Sequence, residues 1–319
     1  MAPNLSLGGL QKITYIQKTL KFPIMQNIKK EDISEEVFII YNDYAHNRIS
    51  RRAFMQKLSL YAVGGLTVPA LLSFLSPDYQ NTLQVSKDDP DIQNSYITYS
   101  SPKGGGEIKG LLAFPVKSTE KLGAIVVVHE NRGLNPYIED VARRAAKAGF
   151  LVLAPDALTP LGGYPGNDDD GRELQAKRDG DSMLEDFIAA AGYLSNHERS
   201  NGKVGVVGFC FGGWISNMMA ARMPDLKAAV PFYGRQAPIE EVPNIKSPLL
   251  LQFAEQDEGV NKGWPAYEKA LKANNKTYTA HSYPGTHHGF HNDSTPRFDP
   301  QAAQLAWART IEFFNIHLA

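Results

Sequence analysis

The stretch Val204-Gly205-Val206-Val207-Gly208-Phe209-Cys210-Phe211-Gly212-Gly213-Trp214 decides the fold. Val204 to Gly208 is a short apolar run without alternation, the pattern of a strand covered on both faces, and a helix-like stretch follows directly. Glycines two positions on either side of Cys210 are what a sharp strand-to-helix turn needs around an exposed nucleophile. Such a turn lifts the sulfur above the sheet edge and sets it at a helix N-terminus. There the dipole and the free N–H groups favour a thiolate and an oxyanion. Cys210 is also the single cysteine in 319 residues, so no internal disulfide forms and a disulfide-stapled scaffold is excluded. On this motif alone, a structural cysteine buried in a glycine-rich turn remains an equal reading.

Outward from this turn, strands and helices alternate from about residue 93. The expected strands are Tyr96 to Tyr99, Ile108 to Phe114, Ala124 to His129, Leu151 to Ala154, Val204 to Gly208, Ala228 to Pro231, Leu249 to Phe253 and Tyr278 to Tyr283. The clearest helix runs from Pro136 to Ala148. Asn135 caps it, Pro136 takes the first position, acids fill the first turn, and Gly149 follows the basic end. The alternation predicts an α/β fold: a mostly parallel, doubly wound sheet flanked by helices. Asp257 follows the strand at Leu249, and His287 and His288 follow the strand at Tyr278. Nucleophile, acid, histidine is the chain order of an α/β-hydrolase, with all three at the carboxyl edge of the sheet.

Four segments together carry a family likeness: His129-Glu130-Asn131-Arg132-Gly133-Leu134-Asn135, Ala154-Pro155-Asp156, Gly208-Phe209-Cys210-Phe211-Gly212-Gly213 and His288-Gly289-Phe290. From roughly residue 95 to the end the chain resembles the dienelactone hydrolase family, and the whole chain resembles a bacterial subgroup carrying an N-terminal extension. The resemblance implies an enzyme that cleaves small esters or lactones. Cys210 would be its nucleophile, His288 the base and Asp257 the group orienting the imidazole. The N–H groups of Phe211 and Asn131 would hold the oxyanion, with Glu130 tuning the thiol. Family members carry a substrate-binding arginine soon after the histidine. Here His291-Asn292-Asp293 stands there and the next arginine is Arg297, so Arg132, Arg172, Arg178, Arg235 and Tyr233 become the candidate substrate-binding residues.

The remaining features bound the function. Lys and Arg total 33, Asp and Glu 34, giving a net charge of −1, so nucleic acid is not the expected partner. No cofactor is expected. His287 and His291 have four-residue spacing but no helix or carboxylate in register, so no metal is expected either. Asp168-Asp169-Asp170-Gly171 does not fit a calcium loop and reads as a solvated loop over the site. Residues 1–80 form a helical extension, 81–92 a linker and 93–319 the hydrolase domain. Within 50–76, Ser50-Arg51-Arg52-Ala53-Phe54-Met55 before the uncharged run Leu58 to Leu75 resembles a twin-arginine export signal. The competing reading makes Ser50 the cap of a helical hairpin broken at Gly64 and Gly65, with the protein in the cytoplasm and no stable membrane span. A non-catalytic small-molecule or partner-binding scaffold and a thiol redox sensor are the rival functions.

Overall fold

The structure is a computed structural model that describes residues 28–63 and 66–319. The chain begins with three helices, α1 (Glu35–Ala45), α2 (Arg51–Ser59) and α3 (Val68–Leu75). It then runs β1 (Ile92–Ser101), β2 (Gly106–Pro115), β3 (Leu122–Val128), α4 (Pro136–Lys147), β4 (Leu151–Pro155), α5 (Asp168–Gln175), α6 (Gly180–Ser195) and β5 (Ser200–Phe209). It ends with α7 (Phe211–Arg222), β6 (Ala228–Phe232), β7 (Leu249–Gln256), α8 (Glu258–Asn261), α9 (Trp264–Ala273), β8 (Tyr278–His287) and α10 (Pro300–Leu318). The eight strands form one sheet in the order β1-β2-β4-β3-β5-β6-β7-β8. β1 and β2 are antiparallel, and every pairing from β4 to β8 is parallel.

The sheet is central because its middle strands are apolar on both faces. In β3, Ala124, Val126 and Val128 enter a core that also holds Phe187 of α6, Ile215 of α7 and Leu271 of α9. Ile125 and Val127 point the other way, onto Ile138 and Val141 of α4 and Phe314 of α10. One run of five fully buried residues thus feeds two cores through the two-residue period of a strand. Helix α4 starts as its sequence dictates, the Asn135 side chain accepting from Ile138 N at 3.1 Å.

The extension has its own core. Val37, Phe38, Tyr41 and Tyr44 of α1 meet Phe54 and Leu58 of α2 and Leu71 and Leu75 of α3. Ser50 caps α2 by accepting from Ala53 N at 3.2 Å. The expected hairpin is instead three helices, because Thr67 caps a fresh helix with Pro69 in its first turn. Gly64 and Gly65, the expected break, lie outside the described residues. Among the described residues no helix is long and apolar enough to cross a membrane.

Asp168 to Gln175 is a helix rather than the expected loop. The Asn167 side chain caps it at Asp170 N, and three acids complement the first turn. Asp168 accepts from the hydroxyls of Tyr79 (2.8 Å) and Tyr164 (3.0 Å), and Asp169 from Tyr44 (2.9 Å). These acids therefore fasten the extension to the α/β domain.

Candidate active site

Cys210 sits between β5 and α7 with φ 56° and ψ −108°, a left-handed backbone that non-glycine residues avoid. Close packing holds it there. A Cβ on Gly208 would lie 2.0 Å from the Gly212 carbonyl oxygen, and one on Gly212 2.4 Å from that of Val128. The turn is further tied by Cys210 N donating to Phe232 O at 3.1 Å. Phe211 opens α7, so its N–H is among those that find no acceptor within the helix.

Asp257 follows β7 and His288 follows β8, both buried. His288 Nδ1 lies 2.6 Å from Asp257 Oδ2. A carboxylate accepts, so Nδ1 carries a proton and Nε2 is the nitrogen left for the sulfur. That Nε2 is buried without a hydrogen-bond partner. Cys210, His288 and His46 each bring a donor atom to one point, all within 4.8 Å of one another. Burial disfavours the charge on His288, but Asp257 and Cys210 push it up to about 10. Burial alone would raise the Cys210 thiol, yet the His46 and His288 imidazoles hold it well below the ordinary thiol range. Asp257, despite burial, is held below the usual carboxylate range by His288.

Glu130 is buried and accepts from Asn292 Nδ2 at 2.8 Å. Burial and then the charge on Cys210 push its carboxyl up, against the pull of Arg132 and Arg297. The open cleft over the sulfur has a volume of about 400 Å³, and Asn131, Arg172, Phe211, Tyr233 and Arg235 all line it. Arg235 lies over the Trp214 ring at 5.1 Å, and Arg172 over the Tyr44 ring at 4.3 Å while donating to Asn47. Arg132 stands apart from this group. It is buried in an ion pair with Asp168 at 3.2 Å and faces a separate hollow beneath the extension. Of the expected substrate-binding residues, it and Arg178 are the ones that do not line the cleft over the sulfur. Arg297, the next arginine after the histidine, lies over Tyr41 at 5.0 Å and outside the cleft.

His287 stacks on Phe38 at 5.4 Å, and His291 Nδ1 lies 2.7 Å from the Tyr137 hydroxyl, so these two histidines serve different packing partners. The residue that sequence reading missed is His46. It caps the C-terminal end of α1 and brings Nε2 to 3.2 Å from Cys210 Sγ. Its neighbours Asn47 and Arg48 also line the cleft. No local signal carries a contact across 164 residues.

Comparison with known proteins gives two family matches. The model of the dienelactone hydrolase family matches residues 108–318. A second, described as YqhI-like, matches residues 25–64. An Escherichia coli (strain K12) protein named "Putative hydrolase fragment YghX" is 60% identical over 114 residues, 36% of this chain and 97% of its own. The Bradyrhizobium sp protein named "Probable 2-oxo-3-(5-oxofuran-2-ylidene)propanoate lactonase" is 31% identical over 221 residues, 65% of this chain and 88% of its own. A crystal structure titled for a "Putative Dienelactone Hydrolase from Klebsiella pneumoniae subsp. pneumoniae MGH 78578" superposes with a TM-score of 0.62 at 26% identity, covering 70% of this chain and 99% of that one.

Proposed function

The chain belongs to the dienelactone hydrolase family and is an ester or lactone hydrolase, and from that premise we propose that it works through a Cys210, His288 and Asp257 triad and an acyl-thioester. The observation that carries this reading is the 2.6 Å contact from His288 Nδ1 to Asp257, which aims the unpartnered Nε2 toward the strained cysteine. The thiol proton passes to an imidazole and the sulfur adds to the carbonyl carbon. The oxyanion meets the N–H groups of Phe211 and Asn131. The tetrahedral adduct collapses, the C–O bond breaks, and the departing alkoxide takes the proton back. Acylation removes the sulfur charge that helps hold a proton on His288. Water then adds to the thioester while His288 accepts its proton, and the carboxylic acid leaves as the thiol re-forms.

The cleft supports a small substrate with a flat apolar body and an anionic group. Phe211, Trp214 and Tyr233 supply the apolar walls, and Arg172 and Arg235 supply forks for a carboxylate. A carboxylate would meet these arginines rather than one following the histidine. The folded packing of Leu58, Leu71 and Leu75 supports a structural extension over an export signal.

A panel of small lactones and short esters, with and without a carboxylate, tests the reading. Turnover by the wild type, an acyl adduct on Cys210 by intact mass, and loss of both in Cys210→Ala are expected. Equal turnover by Cys210→Ala would overturn it.

A further inference from the structure

We infer that His46, delivered by the helical extension, is a second catalytic base at Cys210: it takes the thiol proton during acylation and returns it to the leaving group, so that His288 and Asp257 are left to activate water. This rests on the reading of Cys210 as nucleophile.

The argument begins with the His46 ring. Its Nδ1 is 2.7 Å from the Asn42 carbonyl oxygen. A carbonyl only accepts, so Nδ1 carries a proton and Nε2 is the nitrogen turned to the sulfur. That Nε2 lies 3.2 Å from Sγ. His46 is therefore an imidazole hydrogen-bonded to the resting sulfur, and it shares with His288 the lowering of the thiol. The two rings stand edge to face with centroids 4.5 Å apart, so they approach the sulfur without overlapping.

His46 also caps the C-terminal end of α1, where the helix dipole stabilises a residue that becomes positive during reaction. Its position is enforced from several sides. Asn131, beside the sheet edge, donates to the Ala45 carbonyl, and Arg172 donates to Asn47, which turns left-handed at φ 57°. The charged or titratable groups around the pair are Glu130, Tyr233, Asp257 and His288 from the sheet edge, Arg235 beyond β6, Arg172 from α5 and Arg48 from the extension itself.

The proton balance is simple. The proton that leaves the sulfur is held at His46 Nε2 as the new S–C bond forms, and the ester C–O bond breaks. The alkoxide takes the same proton, and His46 is neutral again before water arrives at His288.

Burst kinetics on the full-length protein test this, using a p-nitrophenyl ester and an alkyl ester of the same acid. His46→Gln keeps a polar side chain without a base. It is expected to slow acylation by roughly 10²-fold, the effect of one general base, with the larger loss on the alkyl ester and deacylation unchanged. His288→Asn is expected to do the reverse, accumulating thioester by intact mass. Iodoacetamide alkylation of Cys210 is followed against pH in parallel. In His46→Gln its acid limb moves up by about one pH unit or more. Wild-type burst rates and a wild-type alkylation profile in His46→Gln would overturn the inference, as would equal slowing of both steps. If no ester is turned over while alkylation still depends on His46, the hydrolase reading fails and the sulfur–imidazole pairing stands.

Discussion

The carboxyl edge of the sheet and the C-terminal end of α1 each deliver an imidazole to Cys210, and each fixes the ring through Nδ1–H. The acceptor differs: the Asp257 carboxylate for His288, the Asn42 main-chain carbonyl for His46. A carboxylate orients the ring and also charges it, which is why His288 rises to about 10. A carbonyl orients without titrating, and no side-chain substitution removes it. The sheet edge thus orients its imidazole with a residue a mutation can reach, and the extension orients one with backbone.

The largest expected effect falls on the atom both regions share. Cys210→Ala should lower ester turnover by roughly 10⁵-fold or more, with near-UV circular dichroism unchanged. Asp257→Asn attacks only the sheet-edge partner and should cost about 10⁴-fold in kcat by misorienting the ring. A thioester visible by intact mass in that variant would sharpen the division of labour between the two histidines. A loss of burst as complete as in Cys210→Ala would break it.

The next test is thermodynamic. Leu58 is fully buried in the separate core of the extension, so Leu58→Ala should destabilise that core by about 3 kcal/mol. Urea titration should then release the extension before the sheet. The burst should be lost in the first transition, while sheet circular dichroism is lost in the second. One coincident transition would show that the extension and the domain fold as a single unit.

The pH dependence separates the regions further. The His288 contribution to stability is fully present below the unfolded histidine value near 6.5. It is lost as pH rises through about 10. The Cys210 shift has the opposite sense: its contribution is present above the ordinary thiol range and lost as pH falls through its lowered value. The alkylation rate of the wild type should therefore stay on its plateau at about pH 7, below the free-thiol value near 8.5. A rate that still climbs through the ordinary thiol range would remove the paired thiolate. The smallest effect belongs to the clasp: Asn131→Ala removes one hydrogen bond to Ala45 and should cost about 1 kcal/mol of extension docking, read by hydrogen exchange in α1.

Much of the sheet was legible because its signals are local. The strand at β3, the caps of α4 and the Gly208-x-Cys210-x-Gly212 turn are written in adjacent residues. Strand ends were less legible. β8 continues to His287 because an irregular register lets it pair with Gln256 of β7, a tertiary event. The helix at Asp168 was legible in principle, since Asn167 followed by three acids is a helix start. The fate of the arginines was not. Arg132 reads like a cleft residue until Asp168, 36 positions on, is seen to pair with it. His46 was the least legible, because its role depends on a helix folding back over a site formed 164 residues later.

The single sulfhydryl of this chain has an analytical consequence. In a protein with one cysteine, a thiol titration reads the proposed nucleophile alone, with no background to subtract. Cys210 is only 7% exposed and lies against His46, so bulky disulfides and maleimides should discriminate between docked and undocked extension while small alkylators count every molecule. The ratio of the two gives the docked fraction in any preparation, without an added label.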